Sequence, residues 1–322
     1  LPTEGEGYVF VPRVSRAEAS LYEHCRRALE LALDRSGPQG LPLALTGDWN
    51  DGLDRVGFKG KGESVWLGFF LLDVLERFAP LAEEQGDKPS ALRWQAEAIR
   101  LRAALDAMHR GDRYVRAVTD DGLELAPMDA LMASWPVLAG AVGLARGRAI
   151  VEAALAQLEK DDMVLLLTPA FNEDSKPYPG RITRYPPGVR ENGGQYSHGV
   201  SWLVDALVRL AELAEAEGDP AEAARLRPRA LEVWFKISPV RKAEPGRIDR
   251  YGLPPHQQPA DIYWGPGYEG RGGWSWYTGA AARMLSAAHA VLGLHLEDGD
   301  LVLRADAFAA KGPLRLRRVV YR

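Results

Sequence analysis

An acidic, glycine-rich loop is the first segment of the chain whose residues could do chemistry. Residues 47–66 read GDWNDGLDRVGFKGKGESVW, and the polar and aromatic members at their start are Asp48, Trp49, Asn50, Asp51 and Asp54. Glycine lets the backbone approach a ligand closely, and a carboxyl group shielded from water by an aromatic ring has the raised pKa that a general acid needs. Taken alone, the loop favours a turn with a helix cap, and an acid site is the alternative. Its spacing lacks the EF-hand pattern, which argues against a calcium loop.

A second polar segment surrounds a Gly-Gly pair directly before a predicted helix. Residues 184–202 read RYPPGVRENGGQYSHGVSW, and their polar members are Arg190, Glu191, Asn192, Gln195, Tyr196 and His198. Backbone N–H groups at a helix start, together with a basic side chain, attract an anion. A lone histidine at a helix start is usually a cap or a packing residue, but this many polar groups around two glycines favour a binding site.

A third segment combines a glycine-rich turn, aromatic residues and a helix start. Residues 270–284 read GRGGWSWYTGAAARM, in which Thr278 and Gly279 lead into the helix. A threonine hydroxyl and the free N–H groups of a first helical turn suit phosphate oxygens. A plain helix start with aromatic packing is the alternative. The segment lacks the Gly-Lys-Ser/Thr ending of a P-loop.

The net charge, the cysteine count and the absence of several known motifs exclude a number of function classes. The sequence has no G-x-S-x-G elbow, no C-x-x-C or H-E-x-x-H zinc pattern and no Rossmann glycine fingerprint, so we expect no metal and no organic cofactor. The net charge of -4 gives no reason to expect nucleic acid or an anionic membrane as a partner. The single cysteine, Cys25, excludes an intramolecular disulfide and favours the cytoplasm; we expect it in a helix core.

Helical periodicity dominates the chain. Apolar residues recur at helical spacing in about eight segments, at 15–35, 63–85, 88–109, 129–144, 146–160, 196–217, 219–236 and 274–292. Long loops at 38–62, 161–195 and 238–273 separate several of them, and loops of this length are often functional. This alternation is typical of a toroid of helical hairpins, although an irregular bundle would show a similar pattern. Strand periodicity follows, with an Asp-Gly turn at Asp298–Gly299 and a third strand over 314–322.

The three polar segments occur together, in this order, in one known family. GDWNDG, GESVWLG, YPPGVRENGGQYSH and GRGGWSWYTG together resemble the catalytic domain of glycoside hydrolase family 94. SLYEHC and GPQGLPLALTGDWNDG are most similar to its branch of cyclic β-1,2-glucan synthases and β-1,2-oligoglucan phosphorylases, and cellobiose and chitobiose phosphorylases are more distant relatives. The resemblance implies a mainly α fold, with later helices of an (α/α)6 toroid over 1–293 and the start of a small C-terminal β element over 294–322.

The resemblance also implies an activity and a set of site residues. It implies an inverting glycoside phosphorylase, in which inorganic phosphate attacks β-1,2-linked glucooligosaccharides and releases α-glucose 1-phosphate. Asp51 matches the family's general acid, and the phosphate site matches His198, Thr278 and Gly279. Sugar-contacting positions match Trp49, Arg190 and Glu191, and we assign the neighbouring Asn50, Gln195 and Tyr196 to the same sugar site.

Two other functions stay open at this point. An inverting hydrolase needs a second carboxylate to activate water, and the alternative bases are Asp48, Asp54, Glu191 and Asp261. One acid loop with two anion loops fits phosphorolysis better, because phosphate replaces the activated water. A non-catalytic glucan-binding or chain-length module of a larger synthase is the other alternative. We expect oligosaccharide and phosphate as partners, and either a homodimer or a part of a larger chain.

Overall fold

The chain is mainly helical. The structure is a computed structural model that describes residues 14–276, 278–297 and 300–303. Its helices are α1 Leu21–Leu33, α2 Val65–Glu84, α3 Lys88–Asp106, α4 Ala130–Leu138, α5 Leu144–Leu158, α6 Ser197–Ala216, α7 Pro220–Ile237, α8 Pro239–Lys242, α9 Ile248–Tyr251 and α10 Ala280–Val291, with a 3-10 turn at Arg181–Arg184. Backbone packing divides the chain into a unit that ends at Arg35, which holds α1, and a unit that begins at Ser36.

The helices of the second unit pack as two rows. Helices α2, α4, α6 and α10 contact one another in that order and form the central row, while α3, α5 and α7 pack beside them as the flanking row. Each flanking helix follows a central helix after a short turn, which makes the two antiparallel. Each central helix is therefore preceded by a long connection, and these connections meet at the end where the central helices begin.

Helix α6 shows why the central row is buried. Its neighbours are α4, α5, α7 and α10, and a helix enclosed in this way must be apolar on most of its faces. Val200, Leu203, Leu207 and Leu210 are all at most 1% exposed, and each such side chain contributes about 1.5–3 kcal/mol by its burial. A side chain at Gly147 of α5 would come within 2.9 Å of Leu210, so glycine permits the close approach of these two helices.

Short strands join the long connections to one another. The strands are β1 Glu63–Ser64, β2 His109–Arg110, β3 Arg113–Tyr114, β4 Ala117–Val118, β5 Glu124–Leu125, β6 Met128–Asp129, β7 Leu167–Thr168, β8 Gln195–Tyr196, β9 Asp261–Ile262, β10 Leu294–Glu297 and β11 Asp300–Leu303. The pairings β1–β4–β5, β2–β3, β6–β7, β8–β9 and β10–β11 are antiparallel. Strands β1, β6 and β8 end where α2, α4 and α6 begin, so the pairings hold neighbouring connections together at the starts of the central helices.

Most predicted elements are confirmed, but several ends differ. Helix α1 begins at Leu21 rather than at residue 15, because the hydroxyl of Ser20 accepts the N–H of Glu23 at 3.2 Å and caps the helix there. Helix α10 begins at Ala280 rather than at 274, because Trp274 is paired through its carbonyl with the N–H of Ala260.

Three further predictions concern the ends of the chain. Cys25 is half-buried rather than enclosed in a core. The first two predicted C-terminal strands are confirmed as β10 and β11, whereas the Asp298–Gly299 turn and the third strand lie outside the described residues. The domain boundary after residue 293 stays a prediction.

None of the helices in the described ranges has the length and apolar character that a bilayer span requires.

Candidate active site

The side chain of Asp48 anchors the acidic loop to two helix starts. Arg116 donates to its two carboxylate oxygens at 2.6 and 2.7 Å, and the two side chains are only 1% and 2% exposed. Ser64, whose hydroxyl caps α2, also donates to Asp48. The Nε atom of Arg116 lies 3.4 Å from the carboxylate of Asp129, which caps α4. The loop is therefore held between the starts of α2 and α4.

The charges of this buried cluster are set by competing effects. Burial by itself would raise the pKa of Asp48, but the Arg116 guanidinium and hydrogen bonds from Ser64 and Asn50 hold that pKa below its usual value. Burial raises the pKa of Asp129, and the charge of Arg116 opposes this only in part. Asp48 is consequently ionised at neutral pH and committed to Arg116, so it is poorly suited to act as an acid or a base.

Asp51 lies at the solvent side of the same loop. Its side chain is 67% exposed, and its Oδ2 atom lies 2.7 Å from Nη2 of Arg181, which is itself 45% exposed. The carboxyl group is therefore open to an incoming ligand, and the aromatic shield expected from the sequence does not enclose it.

Backbone contacts fix the acidic loop against residues 179–184. The N–H of Ile182 donates to the carbonyl of Gly52 at 2.9 Å, and the N–H of Arg181 donates to Oδ1 of Asp54 at 2.8 Å. Asp54 is thus used as an acceptor within the loop pair. Together these bonds place the Arg181 side chain beside the exposed carboxyl group.

Asn50 shapes the turn of the loop. It is 3% exposed, and its amide oxygen accepts the N–H of Gly52 at 3.1 Å, while its own N–H donates to Asp48 at 2.8 Å. Gly47 has a φ of 132° and packs against the backbone of Asp51, a conformation that favours glycine. Because the amide oxygen is used in the turn, the expected sugar contact of Asn50 would have to come from its side-chain NH2 group.

A polar cluster in the second segment consists of Arg190, Glu191 and Tyr196, and its Tyr196 ring contacts Trp49 of the acidic loop. Nε of Arg190 lies 3.2 Å from Oε2 of Glu191, and the guanidinium lies 4.7 Å from the ring centre of Tyr185. Burial and the Glu191 carboxylate raise the pKa of Tyr196 to about 12, so its phenol stays protonated. Arg190 has a φ of 52°, and its N–H donates at 2.9 Å to Asp261, a carboxylate that is 1% exposed.

Gln195 is placed in the packed interior. It is 0% exposed, its Nε2 donates to the carbonyl of Ile237 at 3.2 Å, and its Oε1 accepts the N–H of Val164 at 3.3 Å. The expected sugar contact therefore has no exposed surface to use, and the side chain instead joins the connection before α6 to the last residue of α7. Asn192 has a similar role, because its amide exchanges hydrogen bonds with the backbone of Phe171.

Trp49 brings the first and second polar segments together. Its ring centre lies 5.6 Å from that of Tyr196, 5.4 Å from that of His198 and 5.5 Å from that of Trp202. A side chain at Gly199 would come within 2.9 Å of the indole, so glycine makes room for it. Trp49 is only partly buried, which leaves indole surface for stacking on a sugar ring.

The second and third segments meet at His198. Its Nδ1 atom lies 3.5 Å from the position that a Cβ on Gly279 would occupy. The hydroxyl of Thr278 accepts the N–H of Ala280, the first residue of α10, at 3.1 Å. Burial, followed by the charge of Arg283, lowers the pKa of His198 to about 4, so the imidazole is neutral at physiological pH. The structure thus collects Trp49, His198 and Gly279 in one place.

Three arginines of the site were missed by sequence reasoning. Arg116 and Arg181 pair with carboxylates of the acidic loop, and neither belongs to a recognisable motif. Arg283 lies in the first turn of α10 and pairs with Asp205 of α6. A cation in a first helical turn opposes the helix dipole, and this mismatch is the signal that could have identified it.

The side chains that commonly bind metals do not cluster in the part of the chain that the structure describes. Over those ranges, no group of three or more His, Cys, Asp or Glu side chains is arranged to hold a metal ion.

Sequence comparison relates the chain to known enzymes. Residues 5–293 match the profile described as the glycosyl hydrolase 94 superfamily, catalytic domain. The chain is 39% identical over 308 residues to the cyclic beta-(1,2)-glucan synthase NdvB of Rhizobium meliloti (strain 1021), which covers 92% of this chain and 10% of that protein. It is 29% identical to solabiose phosphorylase of Paenibacillus borealis (86% and 35% covered) and 27% identical to N,N'-diacetylchitobiose phosphorylase of Vibrio furnissii (83% and 33% covered).

These relatives are much longer than the chain, which spans between a tenth and about a third of their length. Among solved structures, the GH63 mannosylglycerate hydrolase from Thermus thermophilus in complex with glucose is 16% identical, with 70% of this chain and 44% of that chain covered and a TM-score of 0.40. Because the family profile matches almost the whole chain, this protein belongs to the glycosyl hydrolase 94 superfamily, a family of enzymes that includes glycoside phosphorylases.

Proposed function

We propose that this chain carries the catalytic site of an inverting glycoside phosphorylase. Its substrates are β-glucosidic, β-1,2-linked glucooligosaccharides and inorganic phosphate, its product is α-glucose 1-phosphate, and it uses no other cofactor. The observation that carries the proposal is one exposed carboxyl group, on Asp51, in the same group of loops as a helix start suited to an anion. The names of the relatives support it, since two are phosphorylases and one is a beta-(1,2)-glucan synthase.

Three of the four carboxylates named above as alternative bases are already engaged, and the fourth, Glu191, is paired with Arg190, which favours phosphorolysis over hydrolysis. Asp48 is paired with Arg116, Asp54 accepts a backbone N–H, and Asp261 is buried and accepts the N–H of Arg190. An inverting hydrolase needs a second free carboxylate that activates water. Phosphate is already a nucleophile, so a phosphorylase needs only the acid and an anion site.

In the proposed reaction, Asp51 protonates the leaving oxygen of the glycosidic bond. An oxygen of inorganic phosphate attacks the anomeric carbon from the opposite face as the bond between that carbon and the leaving oxygen breaks. The β-configured glucoside becomes α-glucose 1-phosphate, and the shortened oligosaccharide leaves with the proton. Asp51 ends as a carboxylate, and Arg181 at 2.7 Å stabilises that charge.

The phosphate is proposed to bind at the start of α10. The first-turn N–H groups other than that of Ala280 lie at this end of the helix, where the dipole favours negative charge, and the Thr278 hydroxyl, which accepts the Ala280 N–H, keeps its own O–H for an acceptor. Gly279 has no side chain to block the approach, and His198 lies directly beside it. Neutral imidazole offers one N–H donor to a phosphate oxygen.

The sugar is proposed to bind between the acidic loop and the Arg190 cluster. Trp49 offers an indole surface for the C–H face of a glucose ring. Arg190, Glu191 and Tyr196 offer charged and phenolic groups that pair with hydroxyls, and the protonated phenol of Tyr196 acts as a donor.

The decisive experiment is an assay with β-1,2-glucooligosaccharide, with and without inorganic phosphate, that follows glucose 1-phosphate. The Asp51→Asn variant should lose activity by at least about 100-fold, the usual contribution of a general acid. Asp54→Asn is the matched control from the same loop, because asparagine can still accept the Arg181 N–H. An active Asp51→Asn variant would refute the assignment, and phosphate-independent release of reducing sugar would identify a hydrolase.

A second candidate function is a non-catalytic glucan-binding or chain-length module. The match to 10% of a cyclic beta-(1,2)-glucan synthase favours it, because a segment of a large synthase can bind its product without turning it over. Calorimetric titration with β-1,2-glucan, next to the activity assay, separates the two. Binding without any turnover in the presence of phosphate would support the module.

We also propose that the two rows of helices belong to an (α/α)6 toroid, in which the central row lines the interior. The alternation of central and flanking helices supports this arrangement. We further propose a homodimer, and light scattering during size-exclusion chromatography separates a dimer from a monomer.

A further inference from the structure

Arg283 lies at the end of the first turn of α10, close to the proposed phosphate position. Its guanidinium pairs with the carboxylate of Asp205 on α6, and its Cζ atom lies 5.7 Å from the ring centre of Trp202. His198, Trp202 and Asp205 follow one another at spacings of four and three residues, so they share one face of α6. The guanidinium therefore lies on the same side of α6 as His198.

The charge of Arg283 acts on the site. After burial, it is the charged group that lowers the pKa of His198, to about 4. Within the described ranges, the charged groups that face this histidine are Arg283 and, through its ion pair, Asp205. The imidazole is thus neutral at physiological pH, and a phosphate that contacts it gains a hydrogen bond but no opposite charge from it.

Arg283 also has unused hydrogen-bonding capacity. Its Nη2 atom donates to Asp205, whereas its buried Nε atom has no hydrogen-bond partner among the described residues. A guanidinium carries five N–H donors in a planar fork that matches the oxygens of phosphate. Its side chain is 25% exposed, so part of the side chain is open to solvent although its Nε atom is not.

We propose that Arg283 supplies the positive charge that binds inorganic phosphate at the start of α10, with His198 contributing as a neutral hydrogen-bonding group. This inference rests on the proposed phosphorylase function. Asp205 holds the guanidinium in place, and Trp202 packs against it. The helix start, the Thr278 hydroxyl and Arg283 then approach the anion from α10, and His198 approaches it from α6.

Asp205 is suited to this role because it engages only the Nη2 atom of the guanidinium and leaves the other N–H donors to a ligand. Burial raises the pKa of Asp205, and the charge of Arg283 opposes that rise without reversing it. A phosphate dianion carries twice the charge of a carboxylate and three acceptor oxygens for the same fork. Binding of phosphate therefore adds to the pair rather than requiring that it break.

The test is calorimetric titration of the full chain with inorganic phosphate at pH 7.5 and constant ionic strength. Arg283→Met removes the charge but keeps the length of the side chain, Arg283→Lys keeps the charge, and Arg209→Met is the matched control. Arg209 lies on α6 and also pairs with a carboxylate, that of Glu212 at 3.1 Å, but its side chain is 49% exposed. We expect Arg283→Met to weaken phosphate binding at least tenfold, Arg283→Lys to weaken it less, and Arg209→Met to leave it unchanged.

The outcomes separate this inference from the proposed function. Phosphate binding by the wild type that is equally strong in folded Arg283→Met overturns the inference and leaves the phosphorylase proposal standing. No phosphate binding by the wild type overturns both. If Arg283→Met fails to fold, the double variant Arg283→Met/Asp205→Asn removes both charges together and is titrated instead. Phosphate binding as strong as that of the wild type overturns the inference, and binding weakened at least tenfold supports it.

Discussion

Replacing Arg116 by methionine removes the cation that holds the acidic loop between α2 and α4. Arg116 and Asp48 are joined by hydrogen bonds of 2.6 and 2.7 Å, with side chains only 1% and 2% exposed. Removal of one partner from a buried ion pair costs about 3–5 kcal/mol, because the other charge stays buried without compensation. We expect Arg116→Met to lose about 3–5 kcal/mol of unfolding free energy, out of roughly 5–15 kcal/mol for a typical domain.

The loss of unfolding free energy should depend on pH, and the direction of this dependence follows from the pKa of Asp48. In the wild type the pKa of Asp48 lies below its usual value, so its contribution to stability is present above the unfolded pKa of about 3.9 and is lost as the pH falls through the folded value. In the variant, burial dominates and Asp48 takes up a proton. The stability difference between the two proteins should therefore be largest near neutral pH and shrink as the pH falls, first through the raised pKa of Asp48 in the variant and then below about pH 4, where the wild type loses its ion pair.

Urea unfolding followed by far-UV circular dichroism measures these differences. The double variant Asp48→Asn/Arg116→Met should be more stable than Arg116→Met, because no uncompensated charge remains. Arg77→Met is the control: its ion pair with Asp73 has an arginine that is 75% exposed, and such pairs are worth about 0–1 kcal/mol. An Arg116→Met protein within about 1 kcal/mol of the wild type at pH 7, or a loss that does not change with pH, would refute the reasoning.

Three other predictions follow from the site. Arg181→Ala should change the unfolding free energy by less than about 1 kcal/mol, because its pair with Asp51 is exposed, yet it should lower phosphorolysis; a stability loss as large as that of Arg116→Met would contradict this. Gln195→Ala should lose about 1–3 kcal/mol, because two buried backbone groups lose their partner, while KM for oligosaccharide stays unchanged; a raised KM in the folded variant would restore the sugar role. His198 should titrate near pH 4 by NMR. Its lowered pKa means that its contribution to stability is present above the unfolded value of about 6.5 and is lost as the pH falls toward 4, and a titration near 6.5 would disprove its burial.

Much of the fold was predictable because the signals are local. Helix periodicity and first-turn prolines such as Pro89 and Pro220 predict the starts of α3 and α7 to within one residue, since a helix start depends on the residues next to it. The start of α10 was not predictable in this way, because Trp274 is drawn into an extended pairing with Ala260 from another part of the loop.

The same contrast between local signals and contacts of distant residues applies to the candidate site. Sequence by itself identified the three loops that we propose to carry the acid, the sugar-contacting residues and the helix start for phosphate, because residue types and glycine spacing are read along the chain and their combination is specific to one family. Only the tertiary structure decided that Gln195 faces the interior, that Asp51 is exposed beside Arg181, and that Asp48 is neutralised by Arg116. The physical reason is that burial and charge pairing depend on residues distant in the chain, and no local spacing encodes which of them will meet.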